Sequence, residues 1–518
     1  MRRTVLTAAT VIDGSGSAPE VRDVWVEGPY ITRVSKPTHT HEGWTVVPAD
    51  GLTLTPGFID VHSHADAAPF LDHPDDCKVL QGVTTEVVGN CGFSLLGRDT
   101  VTPGQGRPVD YLRAVDEAAP VTNVAPLVGH GAVRGLHVGL EARAPTPAEM
   151  HAMRDTLEEA LDEGAFGVSS GLFYTPGSYA DIDELAEWLT GFGQRPMVYA
   201  SHIRNEGDGL LQAVDEFLQV GLAAAVRLEL SHHKAAGIPN WGKTALTLRR
   251  IQEVRAQGVD VALDVYPYTA SSTSISANLP PWVLDGGIDA ALARLADESQ
   301  LGRIERDCVE GVPGWESMIA ATGYDRMVIA GTKTGEGQGQ TLTDYAAARG
   351  LSPFRGMVHL LRENRLEASM VAHSMQEGDL LRVLADARCW IGSDAGSVRR
   401  DSHPHPRLTG TFPRVLGTFV RDRGLLSWET AVHRMTGGPA HHFHIPDRGV
   451  VAPGAVADLV LLDRAAVADG SSFDEPWRPP VGIHSVWMAG EQVVDGVRYV
   501  GSRNGRRLTP GDPPARRM

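Results

Sequence analysis

Eight short apolar runs, each turning polar or glycine-rich at its C-terminal end, constrain this chain more than any other feature. In order they are "GFIDVHSH", "TTEVVGNC", "VAPLVGHG", "AFGVSSGLFY", "PMVYASHIR", "VRLELSHH", "VALDVYPY" and "CWIGSDAG". Uninterrupted apolar runs of this length mark parallel strands buried on both faces. Their alternation with helical patterns such as "TPAEMHAMRDTLEEALDEG" indicates βαβ units. Eight such units predict an α/β fold, a closed (β/α)8 barrel rather than an open sheet. In that architecture the chemistry gathers at the C-terminal strand ends, where these runs become polar.

The remaining sequence is divided accordingly. Residues 1–54 read as short strands between Gly, Pro and Asp turns, and residues 446–500 have the same texture, so the two ends are expected to pair into one small β-sandwich. Residues 55–445 form the barrel. Between its seventh and eighth strands lies an unusually long stretch, about 272–385, expected to be a lid or specificity insertion. Residues 501–518, rich in Arg, Pro and Gly, are expected to be a flexible tail.

With 47 Lys and Arg against 64 Asp and Glu, the net charge is −17. Such a chain repels phosphate backbones and anionic membranes, which argues against nucleic acid or a membrane as partner. Its four cysteines have no CxxC spacing and make no disulfide framework, as in a reducing cytosol. The basic start, Met1-Arg2-Arg3, is followed by too short an apolar stretch for a signal peptide, and no run of about 18 apolar residues follows elsewhere. A cytoplasmic location is therefore expected.

The chemistry sits at the run ends. His62 and His64, at i and i+2 of the first strand, share a face and can point at one ion. Cys91 ends the second run between Gly89-Asn90 and Gly92, and a thiolate there can bind or bridge zinc. His202 ends strand five. Of His232 and His233, ending strand six, only one can face inward, because neighbours on a strand point oppositely. Asp394 ends strand eight, where a carboxylate can contact the metal and exchange protons with its water.

Together these residues resemble the N-acyl-D-amino-acid deacylase (D-aminoacylase) family of the amidohydrolase superfamily. The likeness covers nearly the whole chain and is carried by "TPGFIDVHSHAD", "GVTTEVVGNCGFS", "SSGLFYTPG", "SHIRNEG", "SHHKAAG", "DVYPYTA", "GSDAG", "HPR", "GTFPRVLG" and "DRGVVAPGAVADLVLLD". It implies a tight zinc site of Cys91, His202 and His232, His232 being the match within "SHHK". A second, weaker site would use His62, His64 and Asp394, with Cys91 between the two. Strand four lacks the lysine that bridges metals in many superfamily members, which fits Cys91 in that role. The resemblance further implies that Lys234 and Tyr266 or Tyr268 hold a substrate carboxylate, and that Tyr174 polarises the scissile carbonyl. Arg407 would contact substrate or tie down its loop. Two features depart from the family: "SDAG" stands where "SDG" is usual, and Glu86 lies inside strand two at a usually apolar position.

The expected substrate is a small N-acyl-D-amino acid, cleaved at its amide to a carboxylate and a free D-amino acid. Thr269 to Ala293, entering the insertion, contains no Arg or Lys, so a neutral or apolar side chain is favoured over an acidic one. The rivals are a cyclic-amide hydrolase of the dihydroorotase or hydantoinase type, and a non-catalytic scaffold on the same barrel. The histidines of "PAHHFHI" read as a solvated cluster, and the three other cysteines as packing or surface residues.

Overall fold

The computed structural model describes residues 2–96, 106–501 and 503–511. All eight runs form strands: β1 (Phe58–Asp60), β2 (Val83–Val88), β3 (Asn123–Pro126), β4 (Gly167–Gly171), β5 (Val198–His202), β6 (Arg227–Leu230), β7 (Val261–Val265) and β8 (Cys389–Ile391). Every pairing among them is parallel. β2 lies between β1 and β3. The third run continues as Val128–Gly129, which pairs β4, and from there β4, β5, β6, β7 and β8 follow in order. Beyond β8, Ala395–Gly396 pairs Ser63–His64 of the first run.

Helices connect these strands as the patterning predicts. Pro147–Asp162, for example, opens on Thr146, whose hydroxyl accepts from the Glu149 amide while Glu149 reciprocates, with Pro147 at the first helical position. The strand and helix faces enclose one large apolar core that includes Phe58, Val168, Tyr199, Leu228, Leu263, Ile391 and Phe412.

The chain ends meet, as expected, in one β-domain. Five N-terminal and four C-terminal strands make one continuous nine-stranded sheet, joined where Thr53–Pro56 runs antiparallel to Leu459–Leu462. Leu6, Val24, Leu54, Leu459, Leu461 and Trp487 share a separate core there. The segment expected to be a flexible tail makes contacts with the strand series over its described part. The Val124 amide donates to the Arg506 carbonyl, the Leu508 amide donates to the Val124 carbonyl, and Arg507 pairs with Asp116. Residues 503–511 are thus tied to β3, whereas residues 502 and 512–518 lie outside the described residues.

The insertion is a unit with its own core. Ser271–Ser274 and Met327–Thr332 flank Ala368–Ala372 antiparallel, and Leu301, Ile304, Ile329, Phe354, Met357 and Met370 pack behind them. The helix Glu377–Ala385, at the end of this stretch, packs on the main core through Leu380, Val383 and Leu384.

Glu86 finds its explanation beneath the strand ends. It accepts from Ser63 Oγ and Thr122 Oγ1, each at 2.6 Å, and stands 3.3 Å from Lys78 Nζ. Lys78 also contacts Asp60 at 2.5 Å and Ser393 Oγ at 2.6 Å, and is itself only 2% exposed. One buried ammonium thereby fastens β1, β2 and the end of β8. Removing one partner of such a group strands the opposite charge, which costs about 3–5 kcal/mol. Lys78→Met should lower the urea midpoint of unfolding accordingly; an unchanged midpoint would show that the network contributes nothing net.

Candidate metal centre

The six predicted ligands converge at the C-terminal ends of the strands. Cys91 Sγ lies 3.3 Å from His62 Nε2 and 3.5 Å from His232 Nε2. Asp394 Oδ1 is 3.2 Å from His64 Nε2 and 3.6 Å from His62 Nε2. The His202 and His232 rings meet at 4.4 Å between centroids. Two overlapping sets have donor atoms within 4.8 Å of one another: His62, Cys91, His232 and Asp394, and His202, Glu206 and His232.

Local backbone geometry aims three of these side chains. Cys91, His232 and Asp394 adopt φ of 55°, 34° and 51°, left-handed values that non-glycine residues avoid. Each costs about 1–3 kcal/mol and persists only where the surroundings over-determine it. The Asp394 amide donates to the His62 carbonyl at 2.7 Å, and the His232 amide to Asp264 Oδ1 at 2.8 Å. Around Cys91 the turn needs its glycines: a Cβ on Gly89 would stand 2.3 Å from the Leu127 carbonyl oxygen, and one on Gly92 2.6 Å from the Gly171 nitrogen.

The donor set fits a zinc ion. It combines thiol, imidazole and carboxylate groups at one buried point, the preferred ligands of that metal. His202 Nδ1 is buried without a hydrogen-bond partner among the described residues, an atom that needs one. Burial would raise the Cys91 thiol, but His62, His232 and His64 outweigh it and hold it well below its ordinary value. Burial likewise opposes charge on His64, yet Cys91 and Asp394 lift it to about 9. Asp394 is held well below the carboxylate range, burial being overcome by Arg407 and the imidazoles.

The other predicted residues line two adjoining cavities. Tyr174, Lys234, Tyr266 and Asp394 face an inner one together with Phe173, Ser272 and Thr273. Arg407, His64 and Asp394 face an outer cleft of about 550 Å³. Tyr174 shares a hydrogen bond with Thr273 Oγ1 at 2.9 Å. Arg407 grips Asp394 Oδ2 at 2.7 Å and lies over the Tyr266 ring. Tyr268 is directed elsewhere: its hydroxyl reaches the Pro406 carbonyl and Asp469, and its ring packs on His405, so Tyr266 is the tyrosine of the pair that lines the cavity. His233 turns away to Thr247 Oγ1, leaving His232 inward.

Sequence reasoning missed several carboxylates. Asp264 accepts from His62 Nδ1 at 3.2 Å and thereby orients that ring. Glu206 contacts both Lys234 and His232. Glu316, from the insertion, lines the inner cavity and is pushed up to about 8 by burial and by Glu206. Asp264 and Glu206 stand inside the motifs "DVYPY" and "SHIRNEG", the only signal available. One expected surface residue is buried: His442 of "PAHHFHI" sits 1% exposed and 2.9 Å from Glu229.

Ligands bind a metal in their deprotonated forms, so uptake releases protons. With His64 lifted to about 9, zinc affinity should rise as pH increases from 6 toward 9. Calorimetric titration in buffers of different ionisation enthalpy measures both the affinity and the protons released; affinity independent of pH would remove His64 from the ligand set.

The chain is similar to known proteins over most of its length. A model of the amidohydrolase family matches residues 45–273 and 319–494. An N-acyl-D-aspartate deacylase of Alcaligenes xylosoxydans xylosoxydans is 38% identical, over 98% of this chain and 95% of that protein. A D-aminoacylase of the same organism is 34% identical, over 97% of each. Among solved structures, an N-acyl-D-glutamate deacylase from Bordetella bronchiseptica, complexed with zinc and a phosphonate mimic of the tetrahedral intermediate, superposes with a TM-score of 0.82 at 34% identity, covering 98% of this chain and 100% of that one. The chain belongs to the N-acyl-D-amino-acid deacylase (D-aminoacylase) family of amidohydrolases.

Proposed function

We propose that this chain hydrolyses the amide bond of N-acyl-D-amino acids, giving a carboxylate and a free D-amino acid. The observation that carries the reading is Cys91 standing among His62 and His232 at the strand ends, in a chain whose full-length relatives are deacylases of this class. His62, His64, Cys91, His202, His232 and Asp394 would hold the metal. Zinc, when bound, polarises a carbonyl and makes water nucleophilic at neutral pH.

The chain's own groups divide the remaining work. Asp394 is ionised and oriented by Arg407, suited to take a proton from the attacking water and hand it to the leaving nitrogen. Burial raises the Tyr174 hydroxyl well above its ordinary value; it therefore keeps its proton and can donate to the developing oxyanion. Lys234, Tyr266 and Arg407 would bind the substrate carboxylate. Lys234 already pairs with Glu206 at 2.5 Å, so a substrate carboxylate shares that ammonium.

For the amino-acid side chain, a neutral or apolar group is favoured. The cation-free stretch contributes Ser271, Ser272 and Thr273 to the inner cavity, beside Phe173 and Met318. Lys333 and Arg399 line the outer cleft, but each is paired, with Glu367 at 2.7 Å and Asp401 at 2.6 Å. The cyclic-amide alternative has less support, since Cys91 and Lys234 suit the linear-amide group. A scaffold without activity is disfavoured by six competent ligand positions.

The architecture is read in the same terms. The parallel pairings link run one to run eight and back to run one, which supports a closed barrel over residues 55–445. Residues 1–54 and 446–500 would form the companion β-domain, wrapped as a sandwich around its own core. Among the described residues no helix is long and apolar enough to cross a membrane. All four cysteines are free and buried, which supports a reducing, cytoplasmic setting.

A panel of paired N-acyl-D- and N-acyl-L-amino acids with added zinc tests the assignment: turnover is expected for the D series, and equal rates on both would overturn it. Faster cleavage of N-acyl-D-Asp or D-Glu than of D-Leu or D-Met would reject the side-chain preference. Asp394→Asn should lower kcat by about 10²–10⁴-fold while zinc, measured by metal analysis, is largely retained; full activity would exclude Asp394 as the proton carrier.

A further inference from the structure

The two nitrogens of His232 face different partners. Nε2 points to Cys91 and the ligand cluster, at 3.5 Å from the sulfur. Nδ1 lies 3.1 Å from Glu206 Oε1 and 2.8 Å from Lys234 Nζ. An imidazole offers a lone pair at Nε2 only when its hydrogen is carried at Nδ1, and that hydrogen needs an acceptor. Lys234 is a donor and favours the opposite tautomer. Of the two groups hydrogen-bonded or ion-paired to Nδ1, Glu206 alone can accept.

Glu206 is itself held by the insertion. Its main-chain N–H donates to Glu316 Oε2, and its carbonyl accepts from the Ala236 amide at 2.8 Å. Asn205 Oδ1 accepts from the Gly207 and Gly209 amides, each at 2.9 Å, which closes the turn that presents Glu206. Glu316 is 5% exposed, so its contact with this loop is made away from solvent.

We propose that Glu206 is a positioning residue that keeps the hydrogen of His232 on Nδ1 and so directs Nε2 to the metal, with Glu316 linking that arrangement to the insertion. Lys234 then has two relations to the site. It neutralises Glu206, and it competes for the same imidazole nitrogen whenever Glu206 is missing. The inference concerns metal affinity and goes beyond the substrate assignment.

The test is the zinc affinity of the full chain, measured by competition with a fluorescent chelator for wild type, Glu206→Gln, Glu206→Ala, Glu316→Ala and Glu206→Ala/Lys234→Met. Supporting hydrogen bonds to a ligating histidine are worth about 10–100-fold in metal affinity, so Glu206→Ala should bind zinc that much more weakly. Glu206→Gln retains a carbonyl acceptor and should stay within a few-fold of wild type. The double variant, having no donor to trap the wrong tautomer, should recover part of the loss, and Glu316→Ala should show a smaller loss than Glu206→Ala. Wild-type affinity in Glu206→Ala, or equal losses in the Gln and Ala variants, would overturn the proposal, the latter because charge alone would then account for the effect. Wild-type affinity in Glu316→Ala would detach the insertion from it. Far-ultraviolet circular dichroism and metal-free melting of each variant exclude misfolding as the cause. A wild-type chain that took up no zinc would instead remove the metal reading itself.

Discussion

The Lys78 ammonium carries more of this structure than any single apolar contact. It is a buried charge, and burial of a charge is tolerated only when its partners are complete. Asp60, Glu86 and Ser393 complete it, and they come from the first, second and last strands of the series. Satisfying one ammonium thus brings the two ends of the strand series into register. That register sets Ala395–Gly396 beside Ser63–His64 and lets Asp394 meet His64 at 3.2 Å. The left-handed backbone at Cys91, His232 and Asp394 is sustained by the same rigid surroundings, because strained φ values survive only where neighbouring contacts outweigh them.

A second theme is that, among the described residues, each Lys and Arg lining the two cavities is ion-paired. Lys234 has Glu206, Arg407 has Asp394, Lys333 has Glu367 and Arg399 has Asp401. A substrate carboxylate entering here meets fixed donors already turned toward acceptors rather than free charge. Such preorganised dipoles need little rearrangement as charge shifts during reaction.

Much of this was legible in the sequence, for reasons that also explain what was not. The eight runs announce buried parallel strands because short apolar runs alternating with helical patterns mark βαβ units, and all eight form strands. The candidate ligands stand at the ends of those runs, so their convergence follows from the fold. Glu206, Asp264 and Glu316 carry no period or spacing of their own; each matters through a contact made across the chain. Glu86 looked anomalous only because Lys78, its partner, lies outside any strand. His442 was misread as solvated since Glu229, which it faces, sits on a distant strand. Tyr266 and Tyr268 follow the end of β7, where strand alternation no longer dictates direction, and only packing against His405 and Asp469 separates them.

The junction between Thr53–Pro56 and Leu459–Leu462 has a consequence for how the molecule is made. The first of these segments leads directly into the run that carries His62 and His64, and its sheet partner follows all eight strands in the sequence. During translation the free edge of Thr53–Pro56 must wait, unpaired, for a strand that follows the whole series. Sequence-distant pairing of this kind slows folding and prolongs the exposure of sticky intermediates. A chain ending before Leu459 would therefore hold all six candidate ligands yet lack the strand that pairs with Thr53–Pro56.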